Sequence, residues 1–224
     1  RYKLKEGQTF NVHTKMKVKI KINLLKSFKL FEDDTDFIVT CKVVGYEKRK
    51  DIHTLDCALS WLESKSFMNG FLQQAVGDRF VVRKDSRGKI YSVRGGKKIS
   101  QLLFGLPMKN ALLWFGAILS GPRNSKDWAY VDEISQGQGK GEKIIYNFSN
   151  STEKTIDEHG FPLIKINANL LKGNGFNPFT DFSCSGEILF DKKSGRIAIS
   201  RKNLKASLLN IFDFNVNVKA GEEY

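Results

Sequence analysis

The chain has 224 residues, 41% of them hydrophobic and 27% charged, a composition that excludes wholesale disorder and suits one domain large enough to bury a core. A formal net charge of +13 favours anionic partners such as acidic lipid headgroups, sulfated polysaccharide or nucleic acid, or serves solubility alone. No segment reaches the ~18 uninterrupted apolar residues of a membrane-crossing helix, so a soluble chain is expected. Arg1 follows neither a Met nor a charged-then-apolar leader, so any signal peptide is expected to have been removed, with room for a lipid anchor upstream.

In chain order, the first strong signal is an alternation. Phe10, Val12, Met16, Val18, Ile20, Ile22 and Leu24 interleave with Asn11, His13, Lys15, Lys17, Lys19, Lys21 and Asn23, and only Thr14 softens the apolar row. Period two predicts a half-buried antiparallel strand of about 50 Å, long enough to imply a large curved sheet or open barrel. Glu32, Asp33, Asp34 and Asp36 follow as an acidic cluster, read as a solvated turn between strands.

The next strands can be registered by arithmetic. A hairpin centred on Arg49 sets Phe37 against Trp61, Val39 against Leu59, Cys41 against Cys57 and Val43 against Leu55, with Lys42 facing Asp56 and Thr40 facing Ala58 on the other side. A second turn at 85–88 pairs Phe80 with Val93 and Val82 with Tyr91. From Lys97 to Leu119 the period changes to a short helix, a break at Pro107 and a second helix over 108–119, apolar on every side and therefore to be enclosed by the sheet. Beyond it, a hairpin joins Trp128–Ser135 to Lys143–Phe148, and a further strand runs from Phe161 to Leu171. A turn at 192–195 pairs Phe190 with Ile197 and Ile188 with Ile199, and a last strand through Phe212, Phe214, Val216 and Val218 is long enough to lie beside the first. The echo between 19–26 and 164–172 is what alternating Lys and Ile produce by chance, with a duplicated half-sheet as the alternative. The predicted fold class is mainly β (α+β): a large curved antiparallel sheet or open β-barrel wrapped around a central apolar helix, one domain over 1–224 with a helical insertion at about 97–120.

Motifs for chemistry fail on context. Three cysteines are too few and wrongly spaced for zinc, and the register of Cys41 and Cys57 admits either a disulfide or two reduced core thiols. His13, His53 and His159 lie far apart, and no serine sits in a nucleophile elbow. The run 137–141 has glycines and Lys140 but neither the following Ser/Thr nor the helix of a phosphate loop, so it reads as a hairpin loop. Lys15, Lys17, Lys19 and Lys21 would stand ~6.6 Å apart on one face. Such a stripe suits an anionic surface or discourages aggregation, and with no aromatics beside it nucleic acid is not expected.

The opening Tyr2–Phe10 before a long alternating strand, and the hairpin Gly186–Ile197 with its G-x-x-x-F-D-x-x-S-G-R-I pattern, resemble uncharacterised exported bacterial β-rich proteins and lipoproteins. The architecture is also similar to the lipoprotein-carrier fold, an unclosed antiparallel barrel whose helices cover an apolar cavity. That resemblance implies an exported protein of the bacterial periplasm, outer-membrane surface or extracellular space. The function expected is non-enzymatic binding of an apolar ligand such as lipid, in a cavity lined by Val18, Ile20, Ile22, Met108, Leu112, Trp114 and Phe115. The alternative is a surface scaffold or adhesin with a filled core, binding acidic lipid or glycosaminoglycan through Lys15, Lys17, Lys19 and Lys21. Neither reading involves a catalytic residue, cofactor or metal.

Overall fold

The computed structural model describes residues 1–23, 27–65, 69–102, 112, 127–134, 142–156, 162–171, 179–191, 193–208 and 211–223. The alternating segment forms β1 (Thr9–Asn23), followed by β2 (Ser27–Glu47), β3 (Ile52–Ser64), α1 (Asn69–Gln73), β4 (Arg79–Asp85), β5 (Ile90–Gly95) and α2 (Lys97–Leu102). The second half supplies β6 (Asp127–Ile134), β7 (Glu142–Ile156), β8 (Pro162–Leu171), β9 (Phe179–Asp191), β10 (Arg196–Leu208) and β11 (Phe212–Glu223). Among the described residues these eleven strands join one antiparallel sheet in the order β5-β4-β3-β2-β1-β11-β10-β9-β8-β7-β6. Two meanders thus meet at a single seam, where β1 pairs with β11 from Asn11↔Glu223 to Ile22↔Phe212.

The expected faces are kept. Phe10, Thr14 and Val18 on β1, Phe37, Cys41 and Val43 on β2, and Val216, Val218 and Ala220 on β11 are all buried. Cys41 lies directly opposite Cys57 and the two form a disulfide, with Cα atoms 4.1 Å apart. Val39↔Leu59, Val43↔Leu55, Lys42↔Asp56 and Thr40↔Ala58 pair as the arithmetic requires.

Bulges account for the departures. Between Ile38 and Val39 the partner strand carries an extra residue, so Phe37 meets Leu62, and Trp61 is 42% exposed. On β4 and β5 the pairs are Phe80↔Gly95 and Val82↔Val93, and a bulge at Tyr91 leaves that ring 45% exposed while Ile90 turns inward. On β10 the expected Phe190↔Ile197 pair forms, but Ala198 is extra, so Ile188 faces Ser200 in place of Ile199. The acidic cluster is also corrected: Glu32, Asp33, Asp34 and Asp36 are all within β2, because the strand begins ten residues before Phe37.

Residues 1–8 strap one end of the sheet. Tyr2 N donates to Ser86 O (2.7 Å) in the β4–β5 turn, and Lys3 N donates to Gly195 O (3.2 Å) in the β9–β10 turn. β4 and β10, the strands that Ser86 and Gly195 border, are five spacings apart in the sheet, ~24 Å if it were flat. That two adjacent residues reach both shows how strongly the sheet curls, and it forms an open half-barrel. Gly195, at φ +70°, leaves room for the Lys3 backbone, which a Cβ there would meet at 2.6 Å. The short helix predicted from Lys97 is α2, whereas α1 was not foreseen. Of the predicted apolar helix at 108–119, only Leu112 is among the described residues.

Candidate ligand-binding cavity

On the concave face the described residues line an apolar cavity of about 350 Å³. Its floor is the inward row of β1 (Phe10, Val12, Thr14, Met16, Val18) with Phe37 and Val39 of β2, and Leu55, Leu59, Phe80 and Val82 of β3 and β4 form a wall. Phe71 and Leu72 of α1, Ile99 of α2 and Leu112 complete the lining. Of the residues predicted for a cavity, Val18 and Leu112 line it, Ile20 packs against the core and Ile22 is partly buried. Met108, Trp114 and Phe115 lie outside the described residues.

Three ionisable side chains interrupt this lining, and of these the sequence reading names only Asp33, as part of a solvated turn. At the strapped end, Lys84 of β4 and Glu222 of β11 attract each other, the Lys84 ammonium lies 4.1 Å from the centre of the Tyr2 ring, and Glu222 Oε2 accepts from Ile197 N (3.0 Å). Burial pushes the Lys84 ammonium below its usual pKa and the Glu222 carboxyl above its own, against the pull of the opposite charge. The third is Asp33 of β2, opposite Val18 and therefore six residues, ~20 Å, along β1 from the level of Glu222. Its carboxylate accepts from Ser64 Oγ (2.8 Å) and Thr35 Oγ1 (3.0 Å) and is 5% exposed. The usable signal was strand phase: Asp33 alternates with Phe31, Thr35 and Phe37, Lys84 with Phe80 and Val82, and Glu222 with Val216, Val218 and Ala220.

On the convex face, the lysine stripe meets the acidic row of β2. Lys15 pairs with Asp36 (3.2 Å), Lys17 with Glu32 (3.2 Å) and Asp34 (3.5 Å), and Lys19 with Glu32 (3.3 Å), while Lys21 is exposed opposite Lys29. Hydrogen bonds from Lys29, then Lys17, hold the Glu32 carboxyl down at about 2. His13 pairs with Glu223 (3.2 Å) on the same face.

A histidine, carboxylate and hydroxyl do gather near the strap. Ser86 Oγ donates to Asp51, Tyr46 OH donates to Asp51 (3.2 Å), and the Tyr46 ring stacks on His53 at 4.4 Å. The order is wrong for nucleophile activation, since Ser86 bonds the carboxylate and the buried His53 Nδ1 has no hydrogen-bond partner. The group braces two turns. Elsewhere on the inner face, buried Lys202 of β10 lies opposite Gly186 of β9, near Cys184; burial lowers the Lys202 ammonium to about 8 and raises the Cys184 thiol. Among the described residues no group of side chains is arranged to hold a metal ion. No protein-family model and no curated protein sequence matches the chain.

Proposed function

We propose that the protein is a non-enzymatic, exported cell-envelope protein that holds an apolar molecule, a lipid or acyl chain, in the concavity of its half-barrel. The observation that carries this reading is the apolar cavity of about 350 Å³ on the face where the sheet buries its side chains. Protein interiors are close-packed, and an apolar space of this size falls in the range of small-molecule sites. Leu112, which belongs to an apolar stretch of the sequence, adds a further greasy side chain to the lining. Export is supported by the Cys41–Cys57 disulfide, which persists in oxidising compartments. The anionic-surface reading has less support, since three of the four lysines of the stripe already face carboxylates.

The test is binding of a neutral lipophilic dye, N-phenyl-1-naphthylamine, to the full chain, with mass spectrometry of lipids that co-purify from native membranes. Saturable fluorescence enhancement is expected, and Val39→Trp, which fills the space opposite Val12, should weaken it at least about tenfold, the effect of ~1.4 kcal/mol of lost burial. Dye binding that is absent, or indifferent to Val39→Trp in a folded variant, would sink the proposal.

A further inference from the structure

Among the described residues of the lining, Asp33 is the charged side chain with no opposite charge beside it. Lys84 and Glu222 offset each other at the strapped end, leaving the described lining with one net negative charge, on Asp33. Ser64 and Thr35 donate hydroxyl hydrogens to it, which stabilises and orients the carboxylate without neutralising it. The flanking lysines of β1, Lys17 and Lys19, stand on the opposite face of the sheet from the Asp33 partner Val18, and they pair with Glu32 and Asp34 instead. Among the described residues Asp33 has no ion-pair partner. A second polar atom on the same floor is also open: Thr14 Oγ1 is buried, lines the cavity and has no hydrogen-bond partner.

A carboxylate this buried, in an otherwise apolar wall, is costly unless a cation shares the space. We infer that Asp33 is the headgroup site of the cavity and that its ligand is a cationic amphiphile, an apolar chain bearing a protonated amine. This rests on the cavity being a ligand site. The amine would donate to the carboxylate that Ser64 and Thr35 hold in place, a charge-assisted contact, while the chain lies along Val18, Met16 and Val12 towards the strapped end. The direction of the preference is distinctive, because the whole chain is strongly positive and non-specific attraction would favour anionic amphiphiles.

The experiment is displacement of the bound neutral dye from the full chain at pH 7 by dodecylamine, dodecanol and dodecanoate, each below its micellar concentration. Dodecylamine should displace at a concentration at least about tenfold lower than the other two, the size of one charge-assisted hydrogen bond. Asp33→Asn should bring dodecylamine to the level of dodecanol and leave dodecanol unchanged. Dodecanoate as potent as dodecylamine on the unmodified protein overturns the headgroup site while the cavity stands, and this comparison needs no variant to fold. Equal weakening of all three compounds by Asp33→Asn assigns the carboxylate a purely structural role and overturns the inference too. Failure of every dodecyl compound to displace the dye, or of the dye to bind, overturns the cavity reading itself.

Discussion

At the scale of single residues, the inner face carries charges where its pattern calls for apolar groups, and each has consequences that can be measured. Lys202 is 5% exposed on β10, and burial brings its ammonium from an ordinary 10.5 to about 8. Between those values the unfolded chain binds a proton that the folded protein does not. Stability contributed by this group therefore rises with pH through that window and is reduced below it. Lys202→Met should accordingly be more stable than the parent at pH 7 by on the order of 3 kcal/mol, with the difference fading by pH 10.5. Urea unfolding at pH 7 and pH 10.5 checks this, and equal stability at pH 7 would contradict the burial. Ser200, buried opposite Ile188 with an unpaired hydroxyl, belongs to the same class of inward polar residue. Here the bulge at Ala198 moved it into a position that alternation had given to Ile199.

At the scale of elements, β1 and β2 act as a charge-matched pair whose two faces do different work. The lysines of β1 and the acids of β2 meet on the outer face, while Val18 and Asp33 meet on the inner one. Replacing Lys17 and Lys19 by Glu should set four carboxylates together with Glu32 and Asp34. The expected result is a fall of a few degrees in the melting temperature at pH 7 and low salt, read by calorimetry. Glu32 has a folded-state value of about 2 against an ordinary 4.5, so its contribution is present above pH 4.5 and lost as the pH falls towards 2. The deficit of the variant should shrink over the same interval, since the added repulsion needs ionised carboxylates. This row shows where the sequence was legible. The alternation in β1 and the hairpin arithmetic from Cys41 to Cys57 rest on period two and a charged turn, and both are local. Bulges at Ser60, Tyr91 and Ala198 left no such local mark, because an extra residue in a strand is tolerated wherever twist and packing allow it. The acids of β2 have the composition of a solvated turn, whereas the alternation that runs back from Phe37 through Thr35 and Asp33 marks both the strand and the candidate headgroup residue.

At the scale of the whole molecule, two features hold the trough in shape: the disulfide in its lining and the strap across one end. Cys41 and Cys57 are 16 residues apart, and closing a loop of that size restrains the unfolded chain by roughly 3 kcal/mol. Reduction, or Cys41→Ala with Cys57→Ala, should lower stability by about that amount in urea titrations, and a negligible change would show that the bond does not restrain the unfolded chain. The strap could not be anticipated from sequence, because Tyr2 and Lys3 find their partners at Ser86 and Gly195, far along the chain and recognisable only once the sheet has curled.

The seam between β1 and β11 dictates when that curl becomes possible. As a ribosome delivers the chain, the strand at Thr9–Asn23 emerges about 190 residues before the one that must lie against it, Phe212–Glu223. Throughout that interval the nascent N-terminal meander carries a greasy surface and a raw hydrogen-bonding edge that nothing in it can cover, the condition under which β-chains stick to one another. A holdase chaperone, or transport in an unfolded form with assembly at the destination, would spare the protein that wait.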